Sequence, residues 1–247
     1  QALGQPQKKV FWSIVFGLST LLLSAFGMNP GIIIVVMLYA ILFLVGTFFI
    51  KVVKSKAVAK KDFVQTVLLF IFIFISFNLF WLVPEFLSVL NKGYSLNVLS
   101  QDNRGWLDFV STNTSLFNVL RLQGEWMWYV THRGIAYLPY AEIFKNNLFF
   151  IVLGFLGFFS ALVAIFKSKN HWVVFFTPVL IIGLLACMGS KPPFGYLYLF
   201  LAEKTKLLSL LRAPWYKFGM FICLSYAVLT AFFIDLFKGK KQIVIGF

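Results

Sequence analysis

The sequence predicts an all-α fold: a polytopic transmembrane helix bundle of six spans, with two long extracytoplasmic loops that contain short interfacial helices. Three observations predict it. Of the 247 residues 60% are hydrophobic and only 12% charged, where soluble domains carry about 25% charged residues. Mean hydropathy is +0.88. Six apolar runs are each close to the ~20 residues that a ~30 Å hydrocarbon core demands of a helix, and their cations collect at the ends.

The runs are 10–28, 32–50, 63–83, 148–166, 172–188 and 218–237. Each is expected to be helical, because a span in lipid must satisfy its own backbone hydrogen bonds. Asn29, Pro30 and Gly31 predict a tight turn between the first two. Pro84 is expected to end the third, with Glu85 at the water boundary, and Pro178 to kink the fifth. The whole of 1–247 reads as one transmembrane domain. It begins with Gln1 rather than Met and has no signal-peptide pattern, so it is expected to be a piece of a longer chain.

Orientation follows from lysine. Short segments around Lys8, Lys54, Lys167 and Lys240 hold 12 of the 22 cations, whereas six of the eight acids lie in the other segments. The positive-inside rule puts the lysine-rich side, with both ends of the chain, in the cytoplasm. The protein is then integral to the plasma (cytoplasmic) membrane, with loops 84–147 and 189–217 on the extracytoplasmic side. A net charge of +14 does not imply nucleic acid, because the cations sit at span ends rather than on one soluble face. The lysine excess, 18 against 4 arginines, is read as codon bias without chemistry of its own. Cys187 and Cys223 are too few for a disulfide framework and read as two small buried thiols.

Loop 84–147 carries Trp106, Trp126, Trp128, Tyr129, Tyr137 and Tyr140. So much aromatic surface is expected to fold onto the membrane, for instance as a helix over 115–122 capped by Ser111 or Asn113. The second loop runs from Pro192 and Pro193 through an interfacial stretch, Tyr196–Leu211, to Arg212, Ala213, Pro214, Trp215, Tyr216 and Lys217, directly before the last span. Two cations and two amphipathic aromatics at headgroup depth suit a phosphate-bearing lipid. The same residue types also make an ordinary membrane-anchoring belt.

Other chemistry is sparse. The spans carry no ionisable residue near mid-depth, which argues against ion-coupled transport. Ser76 and Asn78 are expected to bond between helices. Glu125 and His132 offer oxygen and nitrogen to a divalent metal ion at a spacing that matches no ligand motif. There is no phosphate loop, zinc spacing or nucleophile elbow.

WLVPEF at the outer end of one span, a long aromatic outer loop, and LRAPWYKF entering a later span resemble the polytopic GT-C-type glycosyltransferases, in particular the arabinofuranosyltransferase-like and YfhO-like membrane proteins. The resemblance covers about 40 of the 247 residues. It implies an enzyme that takes a sugar from a polyprenyl-phosphate donor and passes it to a cell-surface glycan or protein on the outer face. Arg212 and Lys217 would grip the lipid-linked phosphate. Trp215 and Tyr216 would pack on prenyl chain or sugar, with Trp126 and Trp128 as further aromatic contacts. One feature departs from the pattern: the first outer connection here, Asn29-Pro30-Gly31, has no carboxylate. The resemblance therefore places the catalytic acid upstream of Gln1 and leaves this chain the lipid and acceptor contacts. A lipid-linked saccharide transporter or flippase, and a non-catalytic membrane scaffold, are the alternatives.

Overall fold

A computed structural model describes residues 6–21, 30–49, 57–90, 103–204 and 211–238. They are helical almost throughout and divide into two compact units, Gln1–Val98 and Leu99–Phe247. Three helices are long and apolar enough to cross a membrane: Lys61–Pro84, Leu148–Lys167 and Pro214–Phe237. The other three expected spans are shorter apolar helices among the described residues, Lys9–Leu21, Val35–Thr47 and His171–Cys187.

The first unit contains α1 (Pro6–Leu21), α2 (Pro30–Thr47) and α3 (Ala57–Leu90). Of the expected turn Asn29-Pro30-Gly31, Asn29 lies outside the described residues, and Pro30 and Gly31 are not turn residues but the first two residues of α2. Pro30 opens α2, a position where its missing N–H costs nothing. α1 and α3 run parallel. Lys9 pairs with Asp62 near their starts, Gly17 meets Ile73 and Phe77 further along, and Thr20 meets Asn78 beyond that. A Cβ on Gly17 would lie 2.6 Å from Ile73 Cγ2, so the helices touch there. Asn78 is fully buried. Its Nδ2 donates to Thr20 Oγ1 at 2.8 Å and its Oδ1 accepts from Trp81 Nε1 at 2.7 Å. This is the expected interhelical bond. Ser76 does not share it, since it donates to Phe72 O of its own helix. Pro84 does not end α3, which continues to Leu90. One lost backbone bond is tolerable in a long apolar helix whose other bonds are intact.

In the second unit residues 103–146 form α4 (Asn103–Ser111), α5 (Leu116–Leu120), a 3-10 turn at Trp126–Trp128, the two-residue strands β1 (Thr131–His132) and β2 (Ile135–Ala136), and α6 (Ala141–Asn146). The strands pair antiparallel, Thr131 opposite Ala136. Arg133 and Gly134, both at positive φ, form the turn between them. α5 is shorter than expected and is capped by Ser115, whose Oγ accepts from Asn118 N. The hydroxyl of Ser111 is used elsewhere, accepting from Ser190 N at 3.2 Å.

The expected fourth span is two helices, α7 (Leu148–Gly154) and α8 (Leu156–Lys167). They part at Gly154, where a Cβ would lie 3.0 Å from Arg121 Cβ and 3.2 Å from Arg121 O. α9 is His171–Cys187, with Pro178 inside it, α10 is Gly195–Lys204 and α11 is Pro214–Lys238. α11 is the hub. Gly157 and Ser160 of α8 meet its Tyr226 and Thr230 in parallel order, the two hydroxyls 2.6 Å apart. Gly183 of α9 meets Phe221 and Ile222 of α11, and Gly189 just beyond α9 meets Pro214, so this pair runs antiparallel. Small residues let the backbones approach, which is how helices associate where lipid removes the hydrophobic incentive. Cys187 is buried, as expected, but Cys223 points outward and is exposed.

Candidate functional site at the start of the last helix

Arg212 to Lys217 is not a loop before a helix that starts at Phe218. The helix begins at Pro214, so Trp215, Tyr216 and Lys217 form its first turn. Proline at the first helical position explains the early start: its φ is already helical and its missing N–H would have had no partner there.

Three contacts fix this turn. Leu211 O accepts from the Tyr198 hydroxyl of α10 at 2.7 Å. Pro214 packs on Gly189, where a Cβ would lie 2.6 Å from Pro214 Cγ and 2.2 Å from Ser111 Oγ; Gly189 also has a φ of +57°, which a side chain would strain. Trp215 lies against Gly124 so closely that a Cβ there would sit 2.7 Å from Cε3 of the indole. The aromatic 103–146 segment and the Arg212–Lys217 element are therefore parts of one assembly. Thr114 adds a tie between that segment and the end of α9, its Oγ1 lying 2.8 Å from Met188 O.

Within the turn the two cations differ. Lys217 is 4% exposed and Arg212 is half-buried. The two charges are near enough to act on one another electrostatically. Tyr216 is exposed and Trp215 half-buried. A helix N-terminus adds positive potential to that of the two side chains. The arrangement can attract an anion and offer it a planar donor fork.

The remaining expected residues fall in three places. Trp126 belongs to a ring cluster with Phe109 at 5.6 Å, Tyr137 at 5.9 Å and Trp106 at 6.1 Å between centroids. Trp128 packs instead with Phe144 at 5.8 Å and Tyr140 at 6.3 Å. Glu125, between Gly124 and Trp126, is 9% exposed, and its Oε1 is buried without a hydrogen-bond partner. Burial pushes its carboxyl above the usual range, and the N–H groups of Met127 and Trp126 pull part of the way back. His132 lies on the exposed hairpin, so Glu125 and His132 occupy unlike surroundings. Among the described residues no three His, Cys, Asp or Glu side chains gather in a way that would hold a metal ion.

Sequence reasoning missed Arg121, Gln123, Gly124 and Tyr198, and counted Tyr129 only among the aromatic residues of the loop. Arg121 and Gln123 are buried polar residues of the 103–146 segment. The Tyr129 hydroxyl donates to Gln123 O at 2.9 Å, and Gln123 Nε2 donates to Phe144 O at 3.2 Å. One signal was present in the sequence: an arginine kept in a lysine-rich chain. No family model, curated protein or solved structure matches this chain.

Proposed function

We propose that this chain is the membrane portion of a GT-C-type glycosyltransferase, which moves a sugar from a polyprenyl-phosphate donor to a cell-surface glycan or protein on the extracytoplasmic face of the plasma membrane. The observation that carries the reading is the first turn of α11. Arg212 and a buried Lys217 share it, and Trp215 joins it to the aromatic outer segment through Gly124. An anionic headgroup would meet the cations, and the flat faces of the aromatics suit the C–H faces of a sugar or an isoprenoid chain.

In this reading all six apolar helices cross the bilayer. The 17 residues of α9 reach about 26 Å, a few ångströms short of the core, a mismatch that local thinning accommodates. The phosphate is held by Arg212 and Lys217, and Tyr216 is free to contact the prenyl chain.

The test is sugar transfer from polyprenyl-phosphate sugars by the purified full-length protein. Arg212→Ala should lower turnover about 100-fold, the scale of a lost charge-assisted contact, while elution and helicity stay as in the parent. Unchanged turnover would remove Arg212 from the site. A parent protein that binds such donors but moves them across the bilayer without transfer would favour the flippase alternative.

A further inference from the structure

Arg121 is the least expected residue of the molecule. It follows α5 in the 103–146 segment, yet it lies well inside the helix ends. Its backbone is packed on Gly154, six residues and about 9 Å along the helix from Leu148. The preceding residue, Leu120, gives its carbonyl to the Tyr226 hydroxyl at 3.0 Å. Tyr226 is twelve residues and about 18 Å beyond Pro214. The 103–146 segment therefore dips between α7–α8 and α11 and carries a guanidinium down with it.

That guanidinium is 6% exposed. Its Nη2 and Nε donate to Asn118 Oδ1 at 2.9 and 3.3 Å, and it lies 4.9 Å above the Phe117 ring. The Tyr129 phenol is beside it. Nη1 is buried and has no hydrogen-bond partner. The acceptor it does have is a neutral amide. The ion pairs among the described residues are Lys9–Asp62, Arg104–Glu203 and Lys145–Glu142, so no carboxylate answers Arg121. A buried cation with neither counter-charge nor full hydrogen bonding is costly to keep. An ionisable group below the ends of membrane helices is rare without a task.

We propose that Arg121 forms an anion site of its own, separate from the first turn of α11, and that it takes a phosphate oxyanion on its Nη1 side. The guanidinium fork matches two oxygens of a phosphate. The source of the phosphate is either a lipid headgroup or free phosphate. The site does not depend on the glycosyltransferase reading.

The experiment uses the full-length protein, purified in detergent and stripped of lipid, with two probes: inorganic phosphate, and phosphatidylglycerol followed by native mass spectrometry. The parent protein should bind one phosphate group at this site about tenfold or more tightly than Arg121→Gln, the scale of one charge-assisted hydrogen bond. Arg212→Ala should keep that binding, which separates this site from the proposed donor site. Saturation by inorganic phosphate would identify free phosphate as the ligand, and binding of phosphatidylglycerol alone would identify a headgroup. Equal affinity of parent and Arg121→Gln for both probes, or no binding by the parent, would overturn the proposal. If Arg121→Gln fails to fold, Arg121→Lys serves instead. It keeps the charge and loses the fork, so its binding should weaken, and parent-like binding would again overturn the proposal.

Discussion

The two units close their helices in different ways. In the first, the described contacts of α1 with α3 include a buried polar lock, Asn78 on Thr20, an ion pair, Lys9 with Asp62, and a close approach at Gly17. In the second, α8, α9 and α11 meet through Gly157, Gly183 and Ser160, Ala161 and Ala164 are buried on α8, and the 103–146 segment is tied to the end of α9 by Ser111 and Thr114 and to the middle of α11 by Tyr226. Among the described residues the first unit is a set of apolar helices pinned at points, whereas the second is packed along its length and carries buried polar groups in its 103–146 segment. Chemistry belongs with the second pattern, because only close packing holds charged side chains in fixed positions away from water.

The largest effect on stability should come from Gly183→Val. The first added atom would stand 2.8 Å from Phe221 Cβ and 3.3 Å from Ile222 N, neither of which can swing aside. Equilibrium unfolding in mixed micelles should show a loss of about 3 kcal/mol. Gly17→Ala in the first unit meets the Ile73 Cγ2 methyl, which a small helix shift relieves, so it should cost less. A larger loss at Gly17 than at Gly183 would invert the comparison.

Asn78→Leu comes next. Removing the amide deletes the interhelical bond and frees the Trp81 indole N–H, and it should cost about 1 kcal/mol by the same measurement. No change would mean that packing alone holds α1 on α3.

Glu125 gives a smaller effect that depends on pH. Its folded carboxyl sits above its unfolded value because burial disfavours the charge. The fold favours the proton, so its contribution is complete below the unfolded value of 4.5 and is lost as pH climbs through the raised one. Unfolding as a function of pH should show this decline, and Glu125→Gln should flatten it. The same decline in both proteins would place the titrating group elsewhere. Glu142 has the opposite sign. Lys145 holds its carboxyl below the ordinary range, so its contribution is present above the unfolded value and fades as pH falls through the lowered one. As an exposed pair it should give the smallest change of all, read from Glu142→Gln.

The sequence made the apolar helices plain, because composition and length alone separate a span from a loop. Helix bounds were less legible where proline was involved. Pro84 was read as a stop and stands inside α3, whereas Pro214 was passed over and starts α11. The difference is position: proline is costly inside a helix unless the surroundings absorb it, and it is favoured at the first turn. The Arg212–Lys217 element was visible as residue types in a row. Its coupling to the aromatic 103–146 segment was not, because it runs through Gly124, a residue whose value is the absence of a side chain. The exposure of Cys223 was equally hidden, since on an apolar helix the lipid face and the packed face carry the same kinds of residue. Arg121 fell within the interfacial helix expected over 115–122, and only the fold carries it inward.

The central claim is that the start of α11 holds the phosphate of a lipid-linked donor. Equilibrium binding of polyprenyl phosphate to the full-length protein, followed by tryptophan fluorescence, tests it most directly. Arg212→Ala and Lys217→Ala should each weaken binding at least tenfold, and Arg121→Gln should leave the Arg212-dependent phase in place. Parent-like affinity in both Arg212→Ala and Lys217→Ala would contradict the claim.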